Sequence, residues 1–179
     1  MRKALSIDDS LPITHFLLTG FYLARREHDK AVAEGERAVA LDPGGSYAYF
    51  QYGSALLFAC RPEEAFPILQ KAVRLNPNAE AYNLLFFANA LSTTGRLKEA
   101  VSVYKKALQR APDYIPAHLG LVGAYMRMGR EKEARAEAEE VLRINPKFSL
   151  EYFARTVLVY KDQSVTDRIV NTWRKAGLK

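Results

Sequence analysis

The sequence predicts an all-α chain built from a repeated pair of helices, and three observations predict it. Prolines recur at Pro43, Pro77, Pro112 and Pro146, with spacings of 34, 35 and 34 residues. Ala31, Ala65, Ala100 and Ala134 stand twelve residues before those prolines, and Ala38, Ala72, Ala107 and Val141 stand five before them. Each proline follows a short apolar run, at 38–42, 72–76, 107–111 and 141–145, and ends it because proline cannot continue a helix. Self-similarity at a fixed period of this length marks an array of stacked units. The 179 residues are 49% hydrophobic and 26% charged, proportions of a folded chain that exclude a disordered one.

The elements follow in order. Residues 4–9 match residues 38–43 at a shift of 34, so residues 1–9 read as the remnant of a preceding second helix, and the chain as an excerpt of a longer array. Their basic start runs into Asp8 and Asp9 before an apolar core accumulates, which is not a secretory signal. Four units then occupy 10–147, at about 12–45, 46–79, 81–114 and 115–148, and the extra residue of the middle spacing falls in the loop 78–80. The second helix of three units opens on charged residues, Glu63 and Glu64, Lys98 and Glu99, and Glu131 to Glu133, the usual composition of a first turn. Gly95 and Gly129 occupy the turn between the two helices in the last two units, whereas Arg26 and Cys60 stand there in the first two. Cys60 is expected to be a slightly strained turn residue, because glycine would adopt the left-handed conformation there at no steric cost. Pro67, beyond the first turn of the helix that Pro62 begins, is expected to bend it. At the C-terminus, 148–160 reads as a fifth first helix and 148–179 as a capping pair. The last helix is expected from Ser164, with Asp167 completing a capping box, an apolar stripe of Ile169, Val170, Trp173 and Ala176, and Gly177 as its stop.

This pattern resembles the tetratricopeptide repeat family, whose 34-residue unit is two antiparallel helices, A and B, with a proline near its end. The family's large fourth position is His15, Tyr49, Leu84 and His118 here, and its seventh is Leu18, Tyr52, Phe87 and Leu121. Its small eighth is Thr19, Gly53, Ala88 and Val122, and its eleventh is Tyr22, Leu56, Leu91 and Tyr125. The resemblance implies a right-handed α-solenoid in which the A helices line the concave surface. The stretches 148–151, 153–155, 160–162 and 174–178 also resemble the ends of tetratricopeptide arrays attached to bacterial class III adenylate/guanylate cyclases, which implies a regulatory or localising role beside a catalytic domain.

Charge is segregated by helix. Segments 11–24, 44–60, 81–95 and 114–126 hold no Asp, Glu, Lys or Arg, and each covers an A helix, while charges cluster on the B helices. An uncharged groove and a charged convex back are expected. Helical geometry places Phe16, Tyr47, Phe50, Leu57, Phe58, Tyr82, Leu85 and Asn89 in the groove. These residues are the candidate binding site for a protein or peptide ligand, apolar rather than acidic, because contiguous exposed apolar surface marks interaction sites. The alternative is that a tight superhelix or a folded-back C-terminal helix covers them. A clamp for acidic C-terminal tails is disfavoured, since Phe16, Gly20, Gln51, Tyr82 and Phe86 stand where its cations would be.

Other function classes find little support. His15 and His118 fill packing positions and His28 lies beside Asp29, without nucleophile or metal-ligand spacing. No enzyme, cofactor or metal is expected. The net charge of +6 is interspersed with Glu on the B helices, which argues against nucleic acid. The longest uncharged stretch, 44–60, is shorter and more polar than the roughly 20 apolar residues a membrane helix needs. A single cysteine, Cys60, excludes a disulfide framework and fits a cytoplasmic setting. The chain is therefore expected to be an interaction scaffold. The other reading is a regulatory or oligomerisation segment of a larger bacterial enzyme, forming a homodimer through its uncapped N-terminal end.

Overall fold

A computed structural model describes residues 10–179; the expected helix remnant at 1–9 lies outside the described residues. Ten helices follow one another: α1 (Pro12–Ala24), α2 (His28–Leu41), α3 (Ser46–Phe58), α4 (Pro62–Leu75), α5 (Ala81–Thr93), α6 (Leu97–Arg110), α7 (Ile115–Arg127), α8 (Glu131–Ile144), α9 (Leu150–Val157) and α10 (Gln163–Lys175). No strand occurs among the described residues. Consecutive A and B helices pack as α1 on α2, α3 on α4, α5 on α6 and α7 on α8, and α2, α4 and α6 also pack on the A helix that follows each. The A helices touch one another in turn, α1 with α3, α3 with α5 and α5 with α7. This is the right-handed α-solenoid that the sequence predicts.

Local chemistry sets the helix ends. The B helices stop at Asp42, Asn76, Ala111 and Asn145, all outside the helical region with φ near −133 to −140°, because a residue before proline is driven out of that region. The A helices close through Arg26, Cys60, Gly95 and Gly129, whose φ values are +59, +62, +84 and +73°. The following amides, of Glu27, Arg61, Arg96 and Arg130, each donate back to the carbonyl five residues earlier, which satisfies a carbonyl at the helix end. The left-handed turn expected at Cys60 is therefore present. Helix α4 runs on through Pro67.

The repeated alanines are the contact points. Ala31, Ala65, Ala100 and Ala134 are fully buried, as are Ala38, Ala72, Ala107 and Val141, since only small side chains let two helix axes approach so closely. At Gly53 a Cβ would lie 2.3 Å from Leu69 Cγ, and at Gly120 one would lie 2.3 Å from Tyr104 Cε1, so each glycine leaves room for a large neighbour. Two hydrophobic clusters fill the interior and share Phe66, Phe87, Val103, Leu108 and Tyr114 at their border.

The C-terminus departs from the reading in three ways. The fifth A helix is only α9, eight residues long; the chain leaves the helix at Leu158, and 158–162 link it to the last helix. The last helix begins one residue early, at Gln163, and its N-cap is Asp162, whose carboxylate accepts from the Ser164 amide at 2.9 Å. Asp167 instead accepts from the Gln163 side chain at 3.0 Å. An aspartate two residues ahead supplies the capping oxygen, so Ser164 is not needed for it. The expected stripe does pack: Trp173 and Ala176 are buried and Ile169 and Val170 lie against the second cluster. The Trp173 indole N–H donates to the Leu119 carbonyl at 2.9 Å, tying α10 to α7.

Candidate functional site

The concave face is formed by the A helices, and the eight candidate residues divide on it. Tyr47 and Tyr82 stand open, 51% and 49% exposed, and Phe16 is half-buried beside Tyr47, with ring centroids 6.5 Å apart at a steep angle. Tyr82 meets Phe86 edge-on at 4.9 Å, and Phe86 meets Phe58 at 6.2 Å. These edge-to-face geometries suit the ring quadrupoles. The result is a connected row of rings from α5 to α3, with a second pair bridging α1 and α3.

Phe50, Leu57 and Leu85, in contrast, are buried, Phe50 to 2% exposure, and cannot act as groove surface. The reason is that adjacent A helices touch along the inner face, so in the second and third units these positions become seams between them. Asn89 is also occupied: its side-chain oxygen accepts from the buried Tyr104 hydroxyl at 2.7 Å. It serves α5–α6 packing.

Residues 158–162, here termed the strap, cross the rest of the surface. The Lys161 amide donates to the Phe58 carbonyl at 2.8 Å. The Val159 carbonyl accepts from His28 Nε2 at 2.6 Å; a carbonyl can only accept, so His28 carries a proton on that nitrogen. Tyr160 packs on Phe58 with centroids 5.2 Å apart. The Lys161 ammonium reaches both carboxylate oxygens of Asp29, at 2.8 and 2.9 Å. Arg26 donates to the Arg155 carbonyl at 3.3 Å. The C-terminal segment therefore reaches back from α7 to the α1–α2 turn and covers part of the face, the alternative weighed from the sequence. The strapped end of the face carries one ion pair, Asp29–Lys161.

Ionisation leaves the open stretch neutral. Burial raises the Tyr82 hydroxyl above its ordinary value. Burial, with Cys60 nearby, pushes Tyr160 up to about 12. Lys161 holds the Asp29 carboxyl below the usual range by hydrogen bond and charge.

The histidines sit in structural roles. His15 Nδ1 lies 2.6 Å from Glu34 Oε2, and His118 repeats the arrangement at 2.7 Å from Glu137, its other nitrogen 3.0 Å from the Pro112 carbonyl. Burial alone would lower the His118 pKa, but those two hydrogen bonds and the nearby carboxylates together outweigh it and raise it. No cluster of three or more His, Cys, Asp or Glu able to hold a metal ion occurs among the described residues. No helix among them is long and apolar enough to cross a membrane. On the convex back, Arg61 pairs with Glu64, Arg96 with Glu99 and Arg130 with Glu133, all at spacing i, i+3.

The residues that sequence reasoning missed are His28, Asp29, Tyr160 and Lys161. They meet across more than 130 positions of chain, and no local pattern carries such a contact. The signal that did exist was the gap at 161–163 between the two expected C-terminal helices.

Comparison with known proteins agrees with this geometry. Two sequence profiles of the tetratricopeptide repeat match residues 22–80 and 92–154, together more than half of the chain. Tetratricopeptide repeat protein 37 of Xenopus laevis is 27% identical over 143 residues, covering 79% of this chain and 9% of the relative. Human Superkiller complex protein 3 is 30% identical over 110 residues, covering 62% and 7%. The chain thus spans less than a tenth of either relative's length. Among solved structures, the Thermus thermophilus tetratricopeptide protein TTC0263 superposes with a TM-score of 0.71 at 22% identity, over 96% of this chain and 86% of that one. YrrB, described as a tetratricopeptide protein with an unusual peptide-binding site, gives 0.67 at 23% identity over 87% and 80%. At these identities the structures speak to the fold alone. Helix pairs, buried alanines, left-handed turns and both profiles converge, and the chain belongs to the tetratricopeptide repeat family.

Proposed function

We propose that this chain is a non-enzymatic interaction scaffold that takes an apolar peptide or helix against the open stretch of its concave face, at Phe16, Tyr47 and Tyr82. The observation that carries this reading is the pair of half-exposed tyrosines on successive A helices, backed by Phe16 and Phe86. A side chain of this size buries about 150–250 Å² when fully covered, so each open ring leaves roughly 100 Å² to remove from water. At about 25 cal/mol per Å² each contributes about 2.5 kcal/mol before the costs of association. The family consists of protein-interaction scaffolds, and YrrB has a peptide-binding site, which makes a peptide the reasonable ligand class. We propose a reducing, cytoplasmic setting, in which Cys60 stays a thiol.

Selection of a random peptide library on the immobilised chain tests the reading. Enriched peptides are expected to be rich in apolar residues, and Tyr47→Ala with Tyr82→Ala is expected to weaken them at least about tenfold. Failure to enrich any sequence, or enrichment that ignores the double substitution, overturns it.

A second reading has its own observation. Ile13, Leu17 and Phe21 stand exposed along α1, whereas Ala55, Ala90 and Ala124, which occupy the place of Phe21 in the later units, are fully buried against a preceding B helix. Such a face suits a regulatory or oligomerisation segment of a larger bacterial enzyme such as an adenylate/guanylate cyclase, and homodimerisation through that end. Light scattering over a concentration series is expected to reveal a dimer that Phe21→Glu removes. A strict monomer throughout overturns this reading.

A further inference from the structure

The strap binds the concave face in the manner of a ligand. Residues 158–162 link α9 to α10 outside either helix, and they are recognised by both backbone and side chains. One strap amide donates to Phe58 and one strap carbonyl accepts from His28, while Tyr160 sits on the Phe58 ring and Lys161 on the Asp29 carboxylate. Main-chain bonds for affinity and side-chain pockets for specificity are the recognition mode of an extended peptide. The Phe58 ring that receives Tyr160 continues through Phe86 to Tyr82, so the strapped end and the open stretch form one aromatic track.

The hold is also of a releasable kind. The Lys161–Asp29 pair is solvent-exposed on both sides, where ion pairs are weak. Helix α9 is short, and it exposes Tyr152 and Val157. On the other side of the strap, α10 keeps its own anchor through Trp173 on α7. Leu158 stays buried in the second hydrophobic cluster, so the part of the strap that can detach without disturbing the stacked pairs is residues 159–162.

We propose that the strap is a built-in occupant of the groove, and that the external partner is an extended peptide carrying an aromatic residue followed by a basic one, which binds Phe58 and Asp29 by displacing it. The proposal rests on the peptide-binding reading above and specifies the ligand's chemistry at the end of the groove that the reading leaves closed. The tether gives the strap a high effective concentration, so the external peptide meets a threshold: weak against the closed chain, tighter once the strap is loosened.

The probe is a fluorescein-labelled peptide of residues 156–163, titrated by anisotropy into the full chain. Tyr160→Ala in the protein removes the competing ring, and binding is expected to tighten at least about tenfold relative to the unaltered chain. Lys161→Glu sets like charges against each other at an exposed site that cannot unfold the array, and a gain of about threefold or more is expected. Adding Phe58→Ala to Tyr160→Ala, or replacing the peptide's tyrosine by alanine, is expected to abolish the gain. Equal or absent binding across these variants, with the helical circular dichroism spectrum retained, overturns the proposal and identifies the strap as a structural closure. Should Tyr160→Ala fail to fold, Lys161→Glu alone decides. The Tyr47 and Tyr82 substitutions in the library selection address the open stretch separately, so failure of one reading is distinguishable from failure of the other.

Discussion

Gly35 on α2 lies against α3, and its replacement by alanine measures how tightly successive units are stacked. A Cβ there would stand 2.8 Å from Tyr52 Cα and 3.1 Å from Tyr52 Cβ. Carbon atoms rest at about 3.5–4.0 Å, and the nearest obstacle is backbone, which cannot rotate away. The two helices must part locally by about 1 Å. Overpacking of this kind costs about 2 kcal/mol in the middle of its range, and the gain of up to about 1 kcal/mol from replacing a helical glycine offsets part of it, leaving a net loss of about 1 kcal/mol. Gly20 on α1 supplies the internal control, because a Cβ there meets nothing within 4 Å; Gly20→Ala should stabilise by about 0.5–1 kcal/mol. Urea unfolding followed by far-UV circular dichroism reads both, with thermal midpoints moving about 2–4 °C per kcal/mol for a chain of this length. The separation would also pull α3 from α2 beneath the Phe16–Tyr47 pair, so peptide binding should weaken with stability. A Gly35→Ala chain as stable as the unaltered one would refute the close-stacking argument.

Three further outcomes are expected. Cys60→Gly should stabilise by about 1 kcal/mol, since Cys60 holds φ at +62°, where a Cβ is penalised; the same urea titration checks it. Trp173→Phe removes the indole donor from the Leu119 carbonyl and should lower stability by about 1 kcal/mol, with hydrogen exchange in α10 accelerated before that in α7. The folded-state pKa of His118 is raised, so its protonated form is favoured by folding. That contribution is present in full below the unfolded value of about 6.5 and fades as pH rises through the folded value. The stability difference between the unaltered chain and His118→Gln should therefore shrink as pH rises above about 6.5.

The parts of this molecule that were legible in the sequence are those fixed by short-range rules. A proline forces its predecessor out of the helix, so Pro43, Pro77, Pro112 and Pro146 announce four helix ends. The invariantly small residues at Ala31, Ala65, Ala100 and Ala134 mark close approach, and all four are fully buried. The candidate site was legible only in part. Helical geometry places Phe50, Leu57 and Leu85 toward the inside of the superhelix, but the distance between neighbouring A helices decides whether that means surface or seam, and the contacts make it a seam. Tyr47 and Tyr82 escape because they sit near the N-terminal ends of their helices. The strap lay beyond reach for a different reason: Lys161 meets Asp29 and Val159 meets His28, pairings set by the path of the whole array rather than by any neighbour in sequence.

Backbone amide chemical-shift mapping tests the central claim most directly. The library-selected peptide, added to the isotopically labelled chain, is predicted to shift the amides around Phe16, Tyr47 and Tyr82 on the concave face and to leave the exposed B-helix residues around Arg74, Lys106 and Glu139 in place. Shifts confined to the B helices, with the three aromatic positions unmoved, would contradict the account.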